Sequence, residues 1–235
     1  MSIHHRLATP AGKQRYVRTL FATIADRYDL ITVVLSYGQD RRWKRRLVDL
    51  AAPDRTRALD LATGTGDIAF GLAAAGADVI GLDVTLRMIQ LAQAKIPKRK
   101  AARFLVGDML ALPFPDRSFD VVTIGYGLRN VPDLDTAVEE LFRVVKPGGR
   151  VLSLDFNRPA NRGVRMVYLA YLTLVGSSLG WLLHRDPDTY RYIPESIQRY
   201  PGAAGVCALA RQAGFSACAH EPVLGGFLAL HLATK

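Results

Sequence analysis

The chain has 235 residues and a mass of 25.8 kDa, and its 31 lysines and arginines against 21 aspartates and glutamates give a formal net charge of +10. Hydrophobic residues make up 49 % and charged residues 22 %, proportions that are typical of a globular protein and exclude a disordered or fibrous chain. This length accommodates one α/β domain with a well-developed core.

The two cysteines, Cys207 and Cys218, are too few for a disulfide framework and lack metal-ligand spacing. They predict reduced thiols in a cytoplasmic compartment. The N-terminal segment MSIHHRLATPAGKQR has no apolar stretch of the kind found in secretory signals, which agrees with that location.

Basic residues concentrate at the N-terminus, where residues 1–46 carry ten lysines and arginines against three aspartates. A solvated helical face explains this pattern, and so does attraction to an anionic membrane surface, where each basic residue adds about 1 kcal/mol. Nucleic acid is disfavoured because no aromatic platform and no known nucleic-acid motif accompany the charge. Charge alone leaves the first two interpretations open.

In chain order, apolar residues at helical spacing over 15–50 predict N-terminal helices. Short apolar runs then alternate with helical stretches, which predicts βαβ units and a parallel sheet. The predicted strands are 58–62, 79–82, 104–106, 121–124 and 151–154, and the predicted helices are 67–75, 86–94 and 134–145. Residues 146–149 read Lys-Pro-Gly-Gly and predict a helix end, and two further strands are expected within 215–233.

Residues 166–183 form an eighteen-residue stretch without a formal charge. Its length lies at the lower limit for a membrane-spanning helix. A spanning helix would separate the flanking α/β units. A helix packed in the core and an apolar lid over an apolar substrate are therefore the favoured interpretations. The lid would rest at the interface plane of a membrane.

A glycine-rich turn and two carboxylates follow successive predicted strands. The sequence LDLATGTGDIAF places Asp60, Gly64 and Gly66 at the first strand-to-helix turn, where a Cβ would block close approach of a ligand. Asp83 ends the second strand, where a carboxylate can accept from both ribose hydroxyls, and Asp108 ends the third, where it can accept from an adenine amine. This set favours S-adenosylmethionine over a nicotinamide cofactor, whose glycine pattern would also require glycine instead of Ala62.

Longer segments resemble the ubiquinone/menaquinone biosynthesis C-methyltransferase family. They are YDLITVVLSYGQDRRW, FDVVTIGYGLRNVPD, RVVKPGGRVLSLDF, DPDTYRYIPESI and GGFLALH, and they extend over nearly the whole chain. The GLRN and YRYIPESI segments are the most specific of these. The chain departs from the family pattern at five positions on the acceptor side, namely Ile31, Thr32, Asp40, Asp155 and Asn157.

The resemblance implies a class I methyltransferase domain that binds S-adenosylmethionine. By family correspondence, the cofactor contacts include Thr65, Asp83, Asp108, Met109 and Gly125. Together with the glycine-rich turn and its neighbours, the expected cofactor-binding set is Tyr28, Lys44, Asp60, Ala62, Gly64, Thr65, Gly66, Asp83, Val84, Met88, Asp108, Met109 and Gly125.

The resemblance also implies methylation of a ring carbon of a prenylated quinol. Arg129 is expected to stabilise a phenolate and Asn130 to orient the ring. A water held by Arg129, or the carboxylate of Asp155 or Glu195, would take the proton, because an arginine with a pKa above about 12 is a poor base. Tyr126, Arg129, Tyr190 and Tyr192 are the expected substrate-binding residues. Structural roles compete with each of these: an ion pair for Arg129, a strand-end carboxylate for Asp155 and core packing for the tyrosines.

The sequence thus predicts one Rossmann-like α/β domain over residues 1–235, with a seven-stranded, mostly parallel sheet and helices on both of its faces. An N-terminal helical cap is expected at 1–52 and an apolar, helical substrate-side insertion at 158–200. The expected acceptors are demethylmenaquinol and a methoxy-benzoquinol. Three alternatives are phospholipid N-methylation, natural-product tailoring and a non-catalytic scaffold of quinone enzymes at the membrane. The expected protein is cytoplasmic, with peripheral contact to an anionic membrane and a homodimer left open, and without nucleic acid or a metal site.

Overall fold

The computed structural model describes residues 7–52, 54–96, 102–187 and 189–235. Seven strands form one sheet in the order β3-β2-β1-β4-β5-β7-β6. Only β7 runs antiparallel to its neighbours β5 and β6, and the other pairs are parallel. The strands are β1 (Arg57–Leu61), β2 (Asp78–Asp83), β3 (Arg103–Val106), β4 (Phe119–Gly125), β5 (Val145–Phe156), β6 (Ala217–Val223) and β7 (Leu228–Thr234).

The helices cover both faces of this sheet and begin at recognisable caps. Thr9 caps the first helix, which begins at Pro10, because its Oγ1 accepts a hydrogen bond from the Gly12 amide. Asp133 and Asn161 cap two later helices in the same way. The helices are α1 (Pro10–Ile24), α2 (Tyr28–Leu35), α3 (Asp40–Ala51), α4 (Asp67–Ala74), α5 (Leu86–Ala94), α6 (Leu134–Val144), α7 (Arg162–His184), α8 (Tyr192–Arg199) and α9 (Gly202–Gln212).

The core lies on the two faces of the central strands. On one face Leu59 and Leu61 pack with residues of α6 and α9, and on the other Ala58 and Val121 pack with residues of α3, α4 and α5. Because a sheet covered on both faces holds its strands rigidly, the loops at the carboxyl ends of β1, β2 and β4 have fixed positions. Those loops carry the glycine-rich turn and Asp83.

The prediction of a seven-stranded, mostly parallel sheet is confirmed. Two features differ from the sequence prediction. Helix α9 lies where no helix was predicted, and β5 begins at Val145, six residues before the predicted start. Val145 pairs with Phe119 ahead of a bulge, so the Lys-Pro-Gly-Gly segment that ends α6 is also part of the strand.

The expectation of two reduced cysteines is wrong for this structure, in which Cys207 and Cys218 form a disulfide. Cys207 lies on α9 and Cys218 on β6, and the packing of these two elements brings their Cα atoms to 5.3 Å. That separation is within the range that a disulfide bridges. This packing could not be anticipated because α9 was not predicted.

Candidate active site

A pocket opens at the carboxyl ends of β1, β2 and β4, under helix α1. Nine of the thirteen residues expected to bind the cofactor line it: Tyr28, Ala62, Gly64, Asp83, Val84, Met88, Asp108, Met109 and Gly125. The sequence analysis missed the residues that α1 contributes, which are Gln14, Val17, Arg18 and Phe21.

Asp83 is the buried carboxylate of this pocket. Its Oδ2 accepts from the Gly64 amide at 2.9 Å and its Oδ1 from the Thr85 amide at 2.8 Å. Burial raises the pKa of Asp83, and the two amide hydrogen bonds oppose that rise. A carboxylate has about four lone-pair sites, so Asp83 retains the capacity to accept from two ribose hydroxyls.

Asp108 lies on the other side of the pocket and is covered by α1. Its Oδ2 accepts from Gln14 Nε2 at 2.6 Å, and its Oδ1 accepts from the Leu110 amide at 3.0 Å. The side-chain NH2 of Gln14 donates this hydrogen bond, and the exocyclic amine of an adenine is a donor of the same kind. Helix α1 therefore closes this side of the pocket through the Gln14–Asp108 hydrogen bond.

The pocket fits S-adenosylmethionine in the chemistry of its lining. Asp83 and Asp108 offer hydrogen-bond acceptors of the kind that ribose hydroxyls and an adenine amine require, and the thioether side chains of Met88 and Met109 offer soft apolar surface to a base. Gly64 has a φ of +54°, and a Cβ built there would lie 3.6 Å from the Tyr28 ring, inside the space between the turn and that ring.

The other four expected cofactor-binding residues lie outside this lining. Asp60 is fully buried and accepts from Thr63 and Thr123, and Thr65 donates to Asp29 at 2.6 Å. Gly66 packs beneath the rings of Phe70 and Phe104, and Lys44 pairs with Asp40 and Asp67.

Two buried groups give the folded state opposite pH dependences. Burial lowers the pKa of His231 to about 4 and raises that of Asp60 to about 6. The depressed pKa of His231 stabilises the fold at high pH, and this contribution is lost as the pH falls from about 6.5 towards 4. The raised pKa of Asp60 acts in the reverse direction, since its contribution is lost as the pH rises from about 3.8 to 6.

We therefore expect two variants to change the pH dependence of stability with opposite signs. Lowering the pH from 7 to 5 should cost about 2 kcal/mol through His231 and recover about 1 kcal/mol through Asp60. Relative to the unmodified chain, His231→Gln should flatten the acid-side loss and Asp60→Asn should steepen it. Urea unfolding between pH 5 and 7 measures this, and parallel pH profiles in all three proteins would contradict it.

A second, larger cavity of about 740 Å³ adjoins the cofactor pocket. It lies between α1, α2, α7 and α8, and apolar side chains form most of its wall. Tyr126, Arg129, Tyr190 and Tyr192, the four residues expected to bind substrate, all line it. Phe21, Tyr28 and Tyr126 line both spaces, so they form the boundary between the cofactor pocket and this cavity.

Arg129 reaches this cavity from a short 3₁₀ helix after β4 and is anchored by Asp155. Its Nη1 lies 2.9 Å from Asp155 Oδ1, and its backbone amide donates to Asp155 Oδ2 at 3.1 Å. The two side chains are 6 % and 1 % exposed, so this is a buried ion pair. Among the described residues, nothing accepts a hydrogen bond from Arg129 Nε.

Asn130 and Asp155 lie at different depths around this arginine. Asn130 lines the cofactor pocket and donates to the Tyr126 carbonyl at 2.8 Å, while no described residue donates to its buried Oδ1. Asp155 lies behind Arg129 and lines neither space. Its Oδ1 also accepts from the Phe156 amide at 2.8 Å, so both of its oxygens are engaged.

Asp40 is a further buried carboxylate at this boundary. It is 2 % exposed, its Oδ2 lies 2.7 Å from Lys44 Nζ, and among the described residues its buried Oδ1 has no hydrogen-bond partner. Burial and this neighbouring carboxylate raise the pKa of Tyr126. The sequence analysis noted Asp40 only as a departure from the family pattern. Across the described part of the chain, no group of three His, Cys, Asp or Glu side chains is placed to hold a metal ion.

Comparison with known proteins agrees with this geometry. Residues 9–235 match the model of the ubiE/COQ5 methyltransferase family. A demethylmenaquinone methyltransferase from Thermus thermophilus is 44 % identical over 92 % of this chain and 100 % of its own length. A ubiquinone/menaquinone biosynthesis C-methyltransferase from Methylobacterium nodulans is 39 % identical over 95 % of this chain and 92 % of its own.

Among solved structures, a SAM-dependent methyltransferase from Thermotoga maritima superposes with a TM-score of 0.69 at 19 % identity, over 93 % of this chain and 99 % of that one. This likeness shows the shared fold. The prediction of a methyltransferase that uses S-adenosylmethionine is confirmed. The chain belongs to the ubiE/COQ5 methyltransferase family.

Proposed function

We propose that this enzyme transfers the methyl group of S-adenosylmethionine to a ring carbon of a prenylated quinol. One observation carries the proposal: an apolar cavity of about 740 Å³ adjoins the cofactor pocket and shares Phe21, Tyr28 and Tyr126 with it. A quinol ring placed at this boundary would face the sulfonium methyl. Its tail would occupy the apolar cavity, which we call the acceptor cavity. The sulfonium is intrinsically reactive, so orientation of the ring carbon supplies much of the rate.

Demethylmenaquinol is the first acceptor to consider, because relatives from Thermus thermophilus and Streptomyces avermitilis are demethylmenaquinone methyltransferases at 44 % and 40 % identity. A methoxy-benzoquinol comes next, through the relatives described as acting in ubiquinone and menaquinone biosynthesis. A phospholipid amine is disfavoured because the guanidinium of Arg129 lines the cavity and would repel a cationic headgroup.

In this proposal Arg129 and Asn130 act on the acceptor and Asp155 acts on Arg129. The Arg129 guanidinium lowers the pKa of the ring hydroxyl by stabilising its phenolate, and the electron-rich ring then attacks the methyl group. Asn130 orients the ring from the cofactor side. Asp155 holds the guanidinium in place through the 2.9 Å ion pair and would have to break that pair to accept a proton.

The same reasoning assigns the hydroxyl proton to Asp40. Tyr126 lines the acceptor cavity near Asp40, whose Oδ2 pairs with Lys44 but whose buried Oδ1 has no partner among the described residues. The Tyr126 hydroxyl can therefore take the ring proton while passing its own to Asp40 Oδ1 without breaking that ion pair. The phenol proton thus ends on Asp40. After the methyl group bonds to the ring carbon, the hydrogen on that carbon leaves to water as a proton, and the resulting phenolate recovers a proton from Asp40 through Tyr126. Lys44 balances the charge of Asp40 before the reaction.

Asp40→Asn should lower the turnover number by about 100-fold near pH 6, the lower end of what a general base contributes. The deficit should shrink as the pH approaches 9, because the ring hydroxyl then ionises without assistance. Asp67→Asn is the matched control, since Asp67 is the more exposed partner of the same lysine. A deficit that stays constant with pH, or equals that of the control, would rule out Asp40 as the proton acceptor.

We also propose that residues 1–52 act as a cap and residues 158–200 as a substrate-side insertion. Helix α1 contributes to the cofactor pocket, and α2, α7 and α8 contribute to the acceptor cavity, which supports both roles. A lipid-soluble acceptor further supports peripheral contact of the enzyme with an anionic membrane. Formation of a homodimer is the alternative to this membrane contact.

Methyl transfer from labelled S-adenosylmethionine tests the function directly. Reduced demethylmenaquinol, a methoxy-benzoquinol and phosphatidylethanolamine are offered in parallel, and label is expected on a quinol ring carbon. Label on the lipid amine alone would redirect the family assignment to a changed acceptor, and the five departures from the family pattern would then be examined first. Binding of the cofactor without transfer to any of them would overturn the quinol proposal.

A further inference from the structure

Exposed apolar side chains concentrate around the mouth of the acceptor cavity. Of fifteen large hydrophobic residues exposed in the described part of the chain, twelve lie on α2 and the turn after it, on α7, or on the β6–β7 turn. We call these twelve the apolar rim: Leu30, Val33, Val34, Tyr37, Val164, Met166, Val167, Tyr171, Leu174, Trp181, Leu182 and Leu224. Scattered single apolar residues are normal on a protein surface, whereas a cluster of this size marks a binding face.

The three parts of the rim border one opening. The Tyr37 hydroxyl after α2 contacts the Tyr171 hydroxyl of α7, and the rings of Tyr168 and Phe227 lie 4.4 Å apart between α7 and the β6–β7 turn. Five rim residues, from all three parts, also line the acceptor cavity. The cavity therefore opens to the outside through the rim.

Helix α7 is held along the body of the protein by one narrow face. Its buried residues are Leu172, Gly176 and Gly180, which are spaced by four and lie on one side of the helix. A Cβ at Gly180 would lie 2.5 Å from the Asp186 carbonyl oxygen, so the packing there is close. By length and composition alone α7 could cross a membrane, but crossing would abandon these contacts. A helix packed on one face and apolar on the other is suited to lie in the interface plane.

Several arginines are close in sequence to the rim segments. From residue 157 to residue 185 the sequence contains four arginines and no acidic residue, and these four lie in or next to the two ends of α7. Four more exposed arginines follow α2, on α3, at positions 41, 42, 45 and 46. Arginine side chains at the edge of an apolar face attract anionic headgroups.

We propose that the apolar rim docks onto a lipid bilayer with anionic headgroups and that the acceptor enters the cavity from the bilayer through the opening that the rim surrounds. The second part rests on the proposed function, because only a quinol with a lipid-soluble tail needs this route. A second copy of the chain is the competing occupant. A symmetric pairing through the rim would bring the same arginines together from both copies, which disfavours it.

The docking is tested with the full-length chain and sedimentable vesicles of phosphatidylcholine, with and without phosphatidylglycerol. The vesicles containing phosphatidylglycerol should bind the protein, and added salt should weaken binding. The double variant Leu174→Ser/Trp181→Ser should bind them at least tenfold more weakly. Neither residue lines the cavity, so transfer to a short-tailed, water-soluble quinol should be unchanged. Leu86→Ser, at an exposed leucine outside the rim, is the control and should bind normally.

A second readout is the fluorescence of Trp181, observed in a Trp43→Phe background, which should shift to the blue on vesicles containing phosphatidylglycerol. Absence of binding, equal binding by the double variant, or a concentration-dependent dimer that this variant dissociates would overturn the docking proposal. Transfer to a water-soluble quinol without vesicle binding would leave the proposed function intact. Vesicle binding without transfer to any quinol would support the docking proposal and overturn the proposed function.

Discussion

Asp83→Ala is expected to weaken the binding of S-adenosylmethionine by about 1000-fold. Asp83 lies at the end of β2, where it would accept hydrogen bonds from both ribose hydroxyls of the cofactor. Hydrogen bonds to a charged group contribute about 1.5–3 kcal/mol each, so the loss of two costs about 3–6 kcal/mol. Isothermal titration calorimetry with S-adenosylhomocysteine measures this without turnover. Asp83→Asn should give an intermediate affinity, because one acceptor oxygen remains.

Asp78→Asn is the matched control for this prediction. Asp78 begins the same strand, its side chain is 61 % exposed, and it pairs with Arg103 far from the pocket. Its loss should leave cofactor affinity unchanged. Asp83 also accepts from the amides of Gly64 and Thr85, so each variant needs its unfolding curve measured. A folded Asp83→Ala variant whose affinity for S-adenosylhomocysteine lies within tenfold of that of the unmodified chain would contradict the assigned role.

The order of strands and helices in this fold was predictable because local sequence patterns determine it. Apolar runs alternating with helical stretches specify parallel strands, and the carboxyl ends of such strands meet at one edge of the sheet. Asp83 and Asp108 could therefore be placed near one ligand from their positions in the sequence alone. Arg129 and Tyr126 were predictable in the same way, since they follow β4.

Contacts between distant segments were not predictable from these patterns. The hydrogen bond from Gln14 to Asp108 joins positions 94 apart, and nothing in the amphipathic pattern of α1 indicates which strand end that helix covers. Asp60 shows the opposite difficulty, because a strand-end carboxylate beside a glycine-rich turn resembles a ligand contact from sequence. In the structure, two threonine hydroxyls donate to it. Only the three-dimensional arrangement distinguishes these cases.

Arg129→Ala is expected to lower the free energy of unfolding by about 3–5 kcal/mol. The substitution leaves the Asp155 carboxylate buried without its cation, and an uncompensated buried charge carries this cost. By contrast, Arg103→Ala, at the exposed pair with Asp78, should cost less than about 1 kcal/mol. Urea unfolding of both variants gives the comparison. Similar losses in the two variants would show that the Arg129–Asp155 pair is not a buried ion pair in solution.

The double variant Arg129→Met/Asp155→Leu separates stability from catalysis. Replacing both partners of a buried ion pair with apolar residues removes the stranded charge, so its unfolding free energy should lie well above the value expected from adding the two single losses. Its turnover should nevertheless stay low, because no guanidinium remains to stabilise the phenolate, while its affinity for S-adenosylhomocysteine should match that of the unmodified chain. A stable double variant with normal turnover would assign Arg129 a structural role alone. A stable double variant that binds cofactor and transfers no methyl group would place the guanidinium in the chemical step.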